Sequence, residues 1–164
     1  MPDAIIYYSP IGNLYIAASD IGLTRIKFKP DASYEPSGNA QNAHITEAVS
    51  QLEEYFRGDR TIFDIKLDWK GATDFYKQVW TELLKIPYGQ TVAYSDIAKA
   101  IDNPKAVRAV GMANGKNPIP IIVPCHRVIG KSGQLHGFTG GLDIKAQLLH
   151  IENPSKYVIQ QGLF

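Results

Sequence analysis

The sequence predicts a small α/β unit built on an antiparallel sheet, followed by a mainly α unit that contains a helix-turn-helix. Three observations carry this fold class. Strand-and-turn patterning fills residues 5–28, helical spacing dominates beyond residue 73, and the strand pattern stops at Trp69-Lys70-Gly71-Ala72. The boundary therefore divides the chain into 1–70 and 71–164.

In the first unit, Ile5-Ile6-Tyr7-Tyr8, Leu14-Tyr15-Ile16-Ala17-Ala18 and Leu23-Thr24-Arg25-Ile26-Lys27-Phe28 read as strands. Pro10, Gly12 and Asn13 mark the first turn, Asp20 and Gly22 the second. Residues 29–43, rich in Pro, Ser, Gly and Asn, read as a loop. Ala48, Val49, Leu52, Tyr55 and Phe56 share one helical face, and Gly58 ends that helix. Alternation over Ile62, Asp64, Ile65, Lys66 and Leu67 predicts a further strand.

In the second unit, Thr73 caps a helix carrying Phe75, Val79, Trp80, Leu83 and Leu84, which stops before Pro87-Tyr88-Gly89. Ser95 is the expected cap of a short helix from Asp96 to Ile101. Asn103-Pro104 opens another helix through about Ala113. This pair, the second member basic and rich in small residues, fits a helix-turn-helix, although many helix pairs bind nothing. Gly133 to Gly141 is a glycine-rich loop, and Ile144 to Ile151 a last helix.

Composition narrows the function classes. A chain of 164 residues, 45% apolar and 20% charged, has the make-up of a globular domain and buries enough surface to need no covalent staple. A single cysteine excludes an intramolecular disulfide and any zinc site that needs several thiolates. The start lacks a basic n-region and long apolar h-region, and no apolar run approaches about 18 residues. The expectation is a soluble protein of the cytoplasm. Net charge is +1, but residues 1–70 hold 7 basic and 10 acidic side chains, whereas 71–164 hold 10 basic and 6 acidic. Within 99–131, Lys99, Lys105, Arg108, Lys116, Arg127 and Lys131 face Asp102 alone, which fits either a solvated face or a phosphate-binding surface.

The chemistry centres on Cys125. A neighbouring imidazole can take a thiol proton and nearby cations lower a thiol pKa, so Cys125 beside His126 and Arg127 is a candidate nucleophile with a pKa below the usual value. The same cysteine also fits a buried structural residue.

The tract Pro124-Cys125-His126-Arg127-Val128 resembles the active-site motif of the O6-alkylguanine-DNA alkyltransferases, also described as methylated-DNA–protein-cysteine methyltransferases. Pro87 to Tyr94 and Asn103 to Gly111 resemble that family's helix-turn-helix. Asn117-Pro118-Ile119-Pro120 leads into the motif as it does there. Gly137 to Leu142, Lys145, Leu148-Leu149 and Glu152 keep the family's order and spacing. The resemblance is strong from about 73 to 153. Over 1–70 it consists of length and the order of strands and helix.

This resemblance implies a ribonuclease-H-like first domain and a winged-helix-like second one. It makes Cys125 the acceptor of an alkyl group from O6 of guanine, or O4 of thymine, in double-stranded DNA. His126 becomes the base acting through a water, and Glu152 the carboxylate that orients it. Tyr94 becomes the donor to the departing guanine, and Arg108 the finger that fills the stack when the damaged nucleotide flips out. Lys105, Ala106, Ala109, Gly111 and Ala113 belong to a helix laid in the minor groove; small residues there equally serve helix packing. Asn117 holds the turn before the active-site strand. Phe138 and Thr139 flank the base pocket, where some relatives carry Tyr and Ser. No cofactor is implied. Zinc, held by cysteines and histidines of the first domain in some relatives, is not expected with His44 as the sole such residue there. A monomer is expected, since reading a single lesion needs no two-fold symmetry. Two other classes remain open: a DNA lesion sensor with a structural cysteine, and a cysteine hydrolase using Cys125 and His126.

Overall fold

Three strands, β1 (Asp3–Ser9), β2 (Gly12–Ala18) and β3 (Leu23–Phe28), pair antiparallel in the order β1-β2-β3. The computed structural model describes residues 2–133, 135 and 138–158, and backbone contacts divide the chain into two compact units, Met1–Lys70 and Gly71–Phe164. Strand β2 is central and buried on both faces. Leu14 and Ile16 face α1 (Ala43–Phe56), which presents Ile45, Ala48, Leu52 and Tyr55. Tyr15 and Ala17 form a second small core with Ala4, Ile6 and Tyr34.

Helix α1 begins earlier than the apolar spacing predicts. Asn42 supplies the missing cap, its side-chain oxygen accepting from the His44 N–H at 2.9 Å. The strand expected over 62–67 does not form. Only Leu67 bridges, parallel to Leu23, with the Leu23 N–H donating to Lys66 O and the Asp68 N–H to Leu23 O, both at 2.8 Å. The buried Gln51 amide takes the place of a ladder partner: it donates to Asp64 O at 2.9 Å and accepts from the Asp64 N–H at 2.8 Å. A side chain has satisfied the backbone, so the alternating pattern needs no neighbouring strand.

The second unit packs α2 (Asp74–Leu83), α3 (Tyr94–Ala100), α4 (Val107–Gly115) and α5 (Leu142–Glu152) around Val79, Trp80, Leu83, Ile97, Val110, Ile119, Ile144 and Leu148. Thr73 caps α2 as predicted, accepting from the Tyr76 N–H at 3.1 Å. Two helix starts differ from the sequence reading. Helix α3 is entered from Ala93 rather than Ser95, because Asp96 reaches back to accept from the Ala93 N–H at 2.8 Å. Helix α4 starts after Ala106 rather than at Pro104, because Asn103 to Ala106 close a turn of their own, Ala106 N–H to Asn103 O at 2.9 Å. Between them Asp102 sits at φ +57°, and the bonds Asn103 N–H to Ala98 O and Asp102 N–H to Lys99 O complete a Schellman motif. That left-handed residue sets the tight turn of the helix-turn-helix.

Two-residue strands β4 (Val92–Ala93) and β5 (Val128–Ile129) pair parallel, Val92 with Val128 and Ala93 with Ile129. Tyr94 immediately follows β4, and Arg127 immediately precedes β5. This short ladder therefore sets the start of α3 beside the turn that carries Cys125. Of the predicted glycine-rich loop, Gln134, His136 and Gly137 lie outside the described residues. No helix among the described residues is long and apolar enough to cross a membrane.

Candidate active site

The approach to Cys125 is a set of unusual backbone conformations locked by amides. Ile121 lies at φ +74°, the left-handed region a β-branched residue enters only at a cost of roughly 1–3 kcal/mol. Asn117 supports it: its Nδ2 donates to Val123 O at 2.8 Å and its Oδ1 accepts from the Ile119 N–H at 3.0 Å. Pro124 then makes an inverse γ-turn at φ −81°, ψ 65°, with the Cys125 N–H donating to Val123 O at 2.8 Å. Cys125 to Arg127 form one turn of 3₁₀ helix. Asn114 of α4 steadies it, its Nδ2 lying 3.4 Å from Cys125 O.

Cys125, His126, Arg127 and Glu152 are all buried, with 3%, 0%, 6% and 7% exposure. His126 Nε2 lies 2.7 Å from Glu152 Oε2. Arg127 grips the same carboxylate, Nε to Oε1 at 2.7 Å and Nη2 to Oε2 at 3.1 Å, while its Nη1 donates to Ile86 O at 2.7 Å. Burial opposes charge on Glu152, but His126 and Arg127 hold its carboxyl well below the usual carboxylate range. Burial lowers the His126 pKa and outweighs the attraction of Glu152, so the ring is neutral near pH 7. An ionised carboxylate only accepts, which puts the ring proton on Nε2 and leaves Nδ1 as the basic nitrogen. Nδ1 is buried and has no hydrogen-bond partner among the described residues. Both ring nitrogens are thereby accounted for, and neither bonds the Cys125 sulfur.

The expected lowering of the thiol pKa is corrected here. Burial pushes the Cys125 thiol up to about 11, against the opposing effects of Asn117 and Lys145. Arg127, adjacent in sequence, is spent on Glu152 and Ile86. The cation that does face Cys125 is Lys145, fully buried on α5 with Nζ donating to Val128 O at 2.7 Å. Burial brings its own pKa down to about 8. Lys145, the grip of Arg127 and the Asn114 contact carry no role in the sequence reading. One signal for the first was available. Ile144, Lys145, Leu148, Leu149 and Glu152 trace a single stripe of α5, and two charged residues on a core stripe demand partners.

Tyr94 is half-buried; burial raises its pKa and the nearby Cys125 adds to the rise. It lines an open groove of about 960 Å³ together with Lys105, Val107, Arg108 and Gly111. Four predicted residues thus share one surface. Ala109 is exposed on α4, and Ala106 is the half-buried residue before it, neither lining the groove. Ala113 is fully buried and its carbonyl accepts from Trp80 Nε1 at 2.8 Å, so its small size serves packing on α2. Phe138, half-buried, and Thr139, exposed, lie in the turn leading to α5, with the Gly141 N–H donating to Phe138 O at 2.8 Å.

Residues 5–69 match the ribonuclease-like domain of the 6-O-methylguanine DNA methyltransferases, and residues 74–154 match their DNA binding domain. A methylated-DNA–protein-cysteine methyltransferase of Mycobacterium leprae is 52% identical over 147 residues, 88% of each chain. One from Methanosarcina acetivorans is 49% identical over 150 residues, 90% of this chain and 96% of that protein. The crystal structure of Mycobacterium tuberculosis OGT in complex with DNA superimposes with a TM-score of 0.80 at 46% identity, over 91% of both chains. That of the Mycobacterium tuberculosis O6-methylguanine methyltransferase gives 0.81 at 45% identity over 94% of both. With both units matched and relatives half identical over nine-tenths of its length, the chain belongs to the 6-O-methylguanine DNA methyltransferase family.

Proposed function

We propose that this protein repairs DNA by direct reversal, moving a methyl or other alkyl group from O6 of guanine in double-stranded DNA to Cys125. The observation that carries the reading is that the chain's only cysteine lies in a turn whose next residue is a buried, neutral imidazole anchored by a carboxylate. A protein-cysteine methyltransferase must methylate a cysteine, and here there is one candidate.

In this reading the thiol is protonated at rest, as its burial requires. His126 Nδ1 takes the proton, through a water, as sulfur attacks the alkyl carbon in line. The S–C bond forms and the C–O6 bond breaks. The electron pair returns to the guanine ring, which takes up the proton and leaves neutral. Lys145 faces the sulfur and stabilises it as charge develops there; the Tyr94 hydroxyl donates to the departing base. A thioether does not hydrolyse, so each molecule acts once. O4 of thymine presents a similar alkoxy carbon and is a secondary substrate in this reading.

The groove formed by Tyr94, Lys105, Arg108 and Gly111 is the proposed seat of the duplex, approached from the minor-groove side with the damaged nucleotide extruded. Arg108 fills the stack left behind, and Asn117, Phe138 and Thr139 shape the turns around the base pocket. The protein acts as a monomer in the cytoplasm, without a cofactor.

The test is intact mass after mixing with duplex DNA containing O6-methylguanine. A gain of one methylene on Cys125, absent in Cys125→Ala, is the expected result. Binding without a mass change would make the protein a lesion sensor, and repeated turnover of a model ester would make it a hydrolase.

A further inference from the structure

We propose that Arg127 is a positioning residue for alkyl transfer, its buried guanidinium fork fixing the Glu152 carboxylate so that His126 carries its proton on Nε2 and offers Nδ1 as the base. The inference rests on the alkyl-transfer reading above and assigns a residue that reading leaves idle.

The geometry has three parts. The fork meets Glu152 edge-on, through Nε to Oε1 at 2.7 Å and Nη2 to Oε2 at 3.1 Å, which fixes both the position and the plane of the carboxylate. The guanidinium is itself held, by Nη1 on Ile86 O at 2.7 Å and by the Tyr88 ring, whose centroid lies 5.8 Å from Cζ. Finally, Oε2 is shared: the oxygen that accepts from Nη2 lies 2.7 Å from His126 Nε2. A lysine in the same place supplies charge but no planar pair of donors.

The charge matters as much as the plane. An isolated buried carboxylate beside an imidazole favours the imidazolium, which has no basic nitrogen left to accept a proton. Arg127 neutralises Glu152 and sits close enough to oppose a proton on His126. The other charged or titratable groups facing this ring are Lys145 and Glu152 on α5 and Cys125 in its own turn; Lys145 opposes the imidazolium as well. Tyr88 faces Arg127 and Glu152 from the segment before β4. The carboxylate thus orients the imidazole without capturing it as a cation.

The experiment combines single-turnover transfer against pH with ¹⁵N chemical shifts of labelled histidine. In the unmodified protein, His126 is expected to be neutral with its proton on Nε2 at pH 7. An imidazolium, or a proton on Nδ1, would overturn the proposal whatever the variants do. In Arg127→Gln the His126 imidazolium is expected to persist to higher pH by on the order of one unit, the usual effect of one nearby charge. The acid limb of transfer moves up with it, so the deficit relative to the unmodified protein approaches tenfold at pH values below the His126 pKa and vanishes toward pH 8. Arg127→Lys keeps the charge and is expected to keep the pH midpoint while lowering the plateau rate. A pH-independent loss in Arg127→Gln with an unchanged histidine spectrum would show a purely structural role and overturn the inference. Should Arg127→Gln not fold, the decision falls to Arg127→Lys, for which a shifted midpoint overturns it. No methyl transfer by the unmodified protein would instead reject the proposed function, a distinct outcome.

Discussion

At the scale of single residues the site separates two jobs that sequence adjacency merges. Cys125 and His126 are neighbours in the chain, yet the ring addresses Glu152 and the sulfur is surrounded by Asn117, Lys145 and Tyr94. In the proposed mechanism the pH profile is therefore set on the acid side by the base. With the thiol pushed up to about 11, its own ionisation lies outside the working range. The His126 pKa is lowered from 6.5, so the competent neutral ring is lost only as pH falls through a value below 6.5. Single-turnover transfer is expected to fall tenfold per unit on the acid side, to level off near pH 7, and to decline again above about pH 8 as Lys145 loses the charge that faces the sulfur. A rise with a midpoint near 8.5 would return the role to an ordinary thiol. His126→Ala should cost about 10²- to 10⁴-fold, the span of a lost general base, and Glu152→Gln less, because the ring remains. Asn117 satisfies two backbone groups in a buried turn. Asn117→Ala should lower stability by about 1–3 kcal/mol in urea unfolding, since Val123 O and the Ile119 N–H lose their partner. Cys125, His126 and Glu152 were legible because the motif and the spacing to residue 152 survive as linear text. The grip of Arg127 was not, because its partners lie 25 and 41 residues away, on α5 and at Ile86.

At the scale of elements, legibility followed where each element finds its energy. Helix α2 has its cap and apolar face within one stretch of chain, and Thr73 caps it as predicted. Thr73→Ala should cost about 1 kcal/mol by urea unfolding, whereas Thr73→Ser should cost little because the accepting oxygen is retained. A loss in both variants would shift the weight from the cap to the threonine methyl. The strand expected over 62–67 failed for the opposite reason. Its alternation is real, but Gln51 of α1 supplies the backbone partners of Asp64, a contact between segments thirteen residues apart. The starts of α3 and α4 shifted because capping is settled by which side chain reaches back: Asp96 reaches Ala93, and Asn103 closes a separate turn before the helix begins. Propensity ranks candidate caps, and geometry chooses among them. The Schellman turn at Asp102 supplies its own check. Glycine enters the left-handed region without a Cβ penalty, so Asp102→Gly should be neutral or slightly stabilising, while Asp102→Val should destabilise measurably.

At the scale of the whole molecule, the placement of charge decides what the second unit's surface can bind. Six cations between residues 99 and 131 fit, on sequence, either a solvated face or a phosphate-binding surface. One of them, Arg127, is buried and committed to Glu152, so it cannot reach a phosphate. Lys99, Lys105, Arg108, Lys116 and Lys131 are exposed, and of these Lys105 and Arg108 line the groove beside Tyr94. Each phosphate contact contributes roughly −0.9 to the slope of log affinity against log salt, so five contacts set a ceiling near −4.5. Binding to an undamaged duplex is expected to weaken with salt along a slope shallower than that limit, with little dependence on base sequence. Lys105→Ala should flatten the slope by about 0.9, the signature of one lost phosphate contact. Arg108, if it fills the stack, acts after the duplex is bound. Arg108→Ala should therefore slow repair of O6-methylguanine in duplex DNA far more than reaction with free O6-benzylguanine, which requires no extrusion. Fluorescence anisotropy at several salt concentrations and single-turnover assays on the two substrates measure these effects separately. Equal losses on both substrates would remove the stacking role, and an affinity indifferent to salt would remove the groove as the seat of the duplex.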